Sequence, residues 1–235
     1  MELNRFTTLD IKPENVIIRE SDILRLLGYP TTDADPFIRH TVQLCIEQSI
    51  GLLMPKAGYI LLEISKKKTK EGIVRFDGTT LEVGKLIAAQ MKKAEYAAIF
   101  TVTIGKEVET LSEDAFRKKD MLEGYIFNLI GSEAAESVAE IVHQHVRKLS
   151  EDKGLHITNR FSPGYCHWDT KEQFKIFSFF PDDFDDVTLT ESALMNPVKS
   201  VSAIVGIGKE AEFKDYTCNQ CGLDNCLYRS LKENR

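Results

Sequence analysis

The chain has 235 residues, 43% hydrophobic and 28% charged, with fourteen glycines, seven prolines and a formal net charge of −6; this is the composition of a folded globular protein, not of a disordered or collagenous one. No apolar run approaches the ~18–20 residues of a transmembrane helix, and Met1-Glu2-Leu3-Asn4-Arg5 lacks the basic and apolar regions of a secretory signal, so the expectation is a cytoplasmic protein without membrane attachment. The acidic balance argues against a general nucleic-acid binder, which needs surplus Lys and Arg to neutralise phosphates.

In chain order, the first predicted element is a short helix capped by Ser21, with Leu24 and Leu27 on its apolar side and Gly28 at the C′ position. Asp35-Pro36 starts a second, whose face Ile38, Val42, Cys45, Ile46, Ser49 runs toward Pro55 and places Cys45 in the core. Tyr59–Ile64 and Gly72–Phe76 read as strands, with Lys66-Lys67-Lys68-Thr69-Lys70 as a solvated hairpin tip between them. An Asp77-Gly78 turn leads to an extended piece at Thr80–Val83, followed by helical spacing from Gly84 to Lys93. Tyr96–Ile104, nearly all β-branched, aromatic or small apolar, is expected to be a strand buried on both faces.

A long helical region spans Lys106 to Leu149, with expected breaks near Ser112 and Gly131. Its last part carries an apolar stripe of Ala135, Val138, Ala139, Val142, Val146 and Leu149, and beside it a polar stripe of Glu136, Glu140, His143 and Arg147 at the boundary of core and solvent. Such carboxylates can line a cleft or simply form a solvated face with i,i+4 pairs. His143 and His145 are two residues apart and point to different faces, so they cannot jointly chelate a metal from a regular helix. Leu155–Thr158 is extended, Arg160–Trp168 is rich in turn formers and aromatics, and Lys171–Phe180 is helical in pattern. Val187–Thr190 and Val198–Ile207 close the pattern as strands. The irregular alternation favours an α+β fold with a twisted, largely antiparallel sheet covered by helices. No linker or internal repeat divides it, giving one domain over residues 1–208 and a Cys-containing tail over 209–235.

Arg160-Phe161-Ser162-Pro163-Gly164-Tyr165 places a permanent cation, a rigid turn and an aromatic ring within six residues. Arginine can hold a carboxylate through two parallel hydrogen bonds, Gly164 permits close approach to the backbone, and Tyr165 offers a flat apolar face with a hydroxyl at its tip. Physics alone favours a structural turn with a surface arginine, since Pro-Gly pairs are common. Downstream, Leu189-Thr-Glu-Ser192 and Met195-x-Pro197-x-Lys199-Ser-Val-Ser202 supply a polar path returning beside that turn, or a loop feeding a core strand.

Together with Trp168, these strings in this order resemble the activation (reactivation) domain of cobalamin-dependent methionine synthase, over roughly residues 21–208. The resemblance implies a C-shaped α+β domain that binds S-adenosylmethionine without the glycine-rich fingerprint of a Rossmann fold, which is absent here. It implies ligand contacts from Arg160, Gly164 and Tyr165, a backbone contact at Ser162 and a carboxylate from Glu136, with Glu140 one helical turn away as the alternative. It also implies cobalamin presented by a partner, since no histidine is preceded two residues earlier by Asp, as a cobalamin-binding signature requires. That partner would be a truncated methionine synthase or another corrinoid protein, with a flavodoxin-like electron donor.

The C-terminal Cys218-x-x-Cys221-x4-Cys226 is an addition to the best-known form of the domain. Two thiolates of a C-x-x-C turn can face one metal, Cys226 can reach it, and Cys166 is the natural fourth ligand if the tail folds over the groove. Zinc and an iron–sulfur cluster share this ligand set; a reversible thiol pair and unligated cysteines are the alternatives. The leading functional reading is an accessory S-adenosylmethionine-binding module, not catalytic alone, that supports reductive methylation of cobalamin. Its rivals are a redox activator using a cysteine-ligated cluster and a corrinoid-protein docking partner that has lost nucleotide binding.

Overall fold

A computed structural model describes residues 2–29, 34–181, 184 and 187–214. In chain order the elements are β1 (Phe6–Leu9), α1 (Glu20–Leu26), α2 (Pro36–Ile50), β2 (Lys56–Glu63), β3 (Lys66–Lys68), β4 (Ile73–Arg75), β5 (Thr80–Leu81), α3 (Gly84–Gln90), β6 (Tyr96–Thr103), α4 (Glu107–Arg117), α5 (Met121–Glu151), β7 (His156–Phe161), α6 (Gln173–Phe177), β8 (Thr188–Leu189), β9 (Met195–Asn196) and β10 (Ser200–Gly208). The main sheet has the order β1-β2-β6-β10-β7, and every neighbouring pair is antiparallel. The α+β expectation holds.

Side-chain alternation along the central strands divides the interior into two cores. Ala98, Phe100 and Val102 of β6, Tyr59 and Leu61 of β2, and Ala203 and Val205 of β10 face α1, α2, α4 and α5. Ala97 and Ile99 of β6, Ile60 and Leu62 of β2, and Ile204 of β10 face the small sheet β3-β4-β5, α3 and α6. Burial of both faces is why β6 reads as a near-continuous apolar run.

Several boundaries follow the predicted chemistry. Asp35 caps α2 by accepting from Phe37 N at 2.8 Å, and Cys45 is buried, its thiol pushed up to about 12 by desolvation with help from the charges of Glu123 and Asp120. Gly28, at φ 87°, closes α1 with paired bonds from Gly28 N to Arg25 O and Tyr29 N to Leu24 O, the Schellman arrangement that a left-handed C′ residue permits.

Three expectations are corrected. Ser21 does not cap α1, whose N-cap is Arg19 without a side-chain bond. Lys66–Lys68 is not a hairpin tip but strand β3, paired with β4, and the Lys67 ammonium donates to the Ala94 carbonyl; burial of that amine lowers its pKa. The helical break falls at Lys118–Asp120, where Lys119 has φ 66°. Ser112 instead lies inside α4 and donates to the Gly124 carbonyl at 2.7 Å, tying α4 to α5, while Gly131 lies within unbroken α5, where its missing side chain leaves room for the crossing Lys199 chain.

Lys199 is buried at the start of β10, and its ammonium donates to Asn128 O, Asn128 Oδ1 and Ser132 Oγ at 2.9, 2.7 and 2.9 Å. All three donors of the charge are thus satisfied, as a buried amine requires, although desolvation still lowers its pKa. The predicted loop before it is held over the second core by Gln173, which donates to Ala193 O at 2.7 Å and accepts from Ser202 Oγ at 3.1 Å.

Among the described residues, no helix is long and apolar enough to cross a membrane.

Candidate functional site

Arg160 stands on β7, an edge of the main sheet, opposite Val205 of β10. The pleat turns it toward α5, where the sequence places the polar stripe. The Arg160 Nη2 donates to Glu136 Oε2, and Nη1 donates to Glu140 Oε2 at 3.1 Å. One guanidinium thus bridges two carboxylates one helical turn apart, so the choice between Glu136 and Glu140 does not arise geometrically: both are present. The guanidinium side chain is 22% exposed and the glutamates 45% and 50%, which puts the charged cluster at the surface with the arginine as its least accessible member.

Glu140 has further neighbours. His143 Nδ1 lies 3.7 Å from its Oε2, beyond hydrogen-bond length, and Gln144 Nε2 donates to its Oε1 at 2.6 Å. His143, then Gln144 and Arg160, hold the Glu140 carboxyl down to about 2 against the opposing effect of burial. His143 itself is buried, and its Nε2 is 3.2 Å from the Thr158 carbonyl, which lies two residues before Arg160. An N–H at that nitrogen is the form this carbonyl acceptor requires. His143 therefore links the glutamate stripe to the strand that carries the arginine.

After β7 the chain makes two consecutive turns. Tyr165 N donates to Ser162 O at 3.2 Å, with Pro163 and Gly164 between them and Gly164 at φ 93°, the type II pattern that Pro-Gly favours. Trp168 N then donates to Tyr165 O at 2.9 Å across Cys166 and His167, at φ 52° and 62°. Two adjacent left-handed non-glycine residues cost on the order of 1 kcal/mol each, and the buried Trp168 holds the turn in place. A methyl built on Gly164 would meet Thr170 Cγ2 at 3.2 Å, a tight contact, so glycine here serves both the positive φ and the close approach of Thr170. Tyr165 is 51% exposed beside this glycine.

The C-terminal segment passes this same strand. Asn159 Nδ2 donates to Lys214 O at 2.8 Å and Lys214 N donates to Asn159 Oδ1 at 2.9 Å. Phe213 lies with its ring centroid 5.9 Å from that of His143 and 5.9 Å from Arg147 Cζ. Sequence reading missed this strap; its signal is the aromatic Phe213 set among charged residues just after the last strand. Cys218, Cys221 and Cys226 lie outside the described residues, and among the described residues no group of three or more His, Cys, Asp or Glu is arranged to hold a metal ion.

Residues 77–233 match the family described as vitamin B12 dependent methionine synthase, activation domain, a span that takes in the arginine turn and the three C-terminal cysteines. No curated protein matches the sequence. Among solved structures, the fold is similar to one described as the MetH reactivation domain bound to AdoHcy, with a TM-score of 0.64 and 18% identity over 90% of this chain and 80% of that one.

Proposed function

Given that the chain belongs to the activation-domain family of vitamin B12 dependent methionine synthase, we propose that it binds S-adenosylmethionine and supports reductive methylation of cobalamin held by a separate methionine synthase or other corrinoid methyltransferase. The observation that carries this reading is Arg160, bridged to Glu136 and Glu140 on the strand that leads into the Pro163-Gly164 turn. The similar solved structure, whose description names AdoHcy, supports the ligand class.

The residues suit the ligand's parts. Arg160 takes the amino-acid carboxylate through charge-assisted bonds, Glu136 offsets the ammonium, Tyr165 packs against the nucleoside, and the backbone at Ser162 and Gly164 borders it. When bound, S-adenosylmethionine supplies an electrophilic methyl group on its sulfonium, and the partner's cobalamin, after one-electron reduction by a flavodoxin-like donor, is the nucleophile that accepts it. This chain contributes position and a charged surface, with no side chain assigned to proton transfer.

The tail from residue 209 onward is read as a separate functional segment in which Cys218, Cys221 and Cys226, with Cys166, hold zinc or an iron–sulfur cluster. Support comes from the strap at Phe213-Lys214, which delivers the tail beside β7 four residues before Cys218. Metal analysis of anaerobically purified protein should find one site that is lost in Cys218→Ser. A visible absorption band that bleaches on reduction identifies a cluster; a colourless metal site identifies zinc.

The ligand reading is tested by isothermal titration of S-adenosylmethionine into the full chain. Saturable binding is expected. Absence of binding would leave the family fold serving as a docking partner without the nucleotide.

A further inference from the structure

Arg160 is matched by more negative charge than it needs. One guanidinium and two carboxylates leave the cluster with a single net negative charge, and the hydrogen bonding of Glu140 explains why the second carboxylate persists. Gln144 anchors Glu140 from its own helix, independently of Arg160. When a ligand carboxylate engages the guanidinium, Glu140 has no need to move, and its charge remains.

Resting on the reading of Arg160 as the ligand's carboxylate partner, we propose that Glu140 is the specificity-determining residue that makes this site prefer a sulfonium ligand over its neutral thioether product. S-adenosylmethionine carries a carboxylate, an ammonium and a sulfonium, and so one net positive charge. S-adenosylhomocysteine, formed when the sulfonium loses its methyl group, carries none. In the ligand, four bonds of about 1.5 Å separate the carboxylate carbon from the sulfur, so a carboxylate on Arg160 whose chain runs back along α5 brings the sulfur within a Debye length of Glu140, about 8 Å at physiological ionic strength, and the proposal includes that direction. At that range one carboxylate in a half-exposed setting favours a cation by about three- to tenfold. Discrimination of this kind lets product leave while substrate is retained, and it needs no contact with the methyl group.

The test compares dissociation constants of S-adenosylmethionine and S-adenosylhomocysteine, by isothermal titration at neutral pH, for the full-length wild type, Glu140→Gln and Glu140→Asp. The wild type should bind the thioether more weakly. The ratio of the two constants should fall about three- to tenfold in Glu140→Gln and recover in Glu140→Asp. A purely structural role for Glu140 would shift both constants together and leave the ratio unchanged, and that result overturns the proposal while leaving the binding function intact. Raising salt from about 50 to about 500 mM should narrow the wild-type ratio through screening. A ratio indifferent to salt overturns the proposal even if the variants do not fold. A wild type that binds neither ligand removes the underlying function as well.

Discussion

Arg160 concentrates the consequences at the residue scale. Arg160→Ala should abolish S-adenosylmethionine binding, with a loss on the order of 100-fold or more by titration, while unfolding in urea should change little because the paired carboxylates are half exposed and can return to water. Glu140 yields a pH prediction. Its carboxyl is lowered from 4.5 to about 2 in the folded chain, so its stabilising contribution is fully present above the unfolded value and is lost as pH falls through the folded one. The urea stability of wild type relative to Glu140→Gln should therefore shrink between pH 4.5 and 2, by less than roughly 1 kcal/mol after solvent screening. Much of this cluster was legible in the sequence. The stripe Glu136, Glu140, His143, Arg147 sits at helical spacing, and Arg160 opens a turn with a known recognition chemistry. What spacing could not give was that one arginine takes both glutamates, because that depends on the pleat direction of an edge strand.

Among elements, α4 and α5 and the start of β10 carry the tightest packing. A methyl group built on Gly124 would lie 2.7–2.9 Å from the Phe116 ring, so Gly124→Val should separate α4 from α5 at a cost of about 1–3 kcal/mol, read as a lower urea midpoint. Lys199→Ala should destabilise by about 2–4 kcal/mol, since it removes the chain packed on Gly131 and leaves Asn128 and Ser132 without their buried donor. These contacts also explain why the helical break was misplaced from sequence. Ser and Gly are common helix punctuators, yet here Ser112 is used as a hydrogen-bond donor to a neighbouring helix and Gly131 as a notch for a crossing lysine. Tertiary contacts decide both cases, and no local window contains them. The strands were more legible, because β2, β6 and β10 are buried on two faces and write continuous apolar runs. β3 was not, since a lysine can form a strand when its amine finds a partner, as Lys67 does in the buried carbonyl of Ala94.

For the whole molecule, the sheet order puts β1 and β7 at opposite edges and Arg160 on an edge. An edge strand leaves backbone groups unpaired, and here the chain's own Lys214, bonded in both directions by Asn159, lies along that rim. Asn159→Ala should release the segment and speed tryptic cleavage at Lys209 and Lys214, visible as a shortened chain in mass spectrometry. The alternating pleat sends Asn159 to the strap and Arg160 to α5, with one peptide unit between them. A fusion partner or affinity tag is therefore not neutral between the two edges: anything that pulls on Lys214 pulls on Asn159, the neighbour of Arg160. Ahead of β1 it is four strand spacings, about 19 Å, across the sheet, and that is the end to which a handle for pull-down or immobilisation belongs.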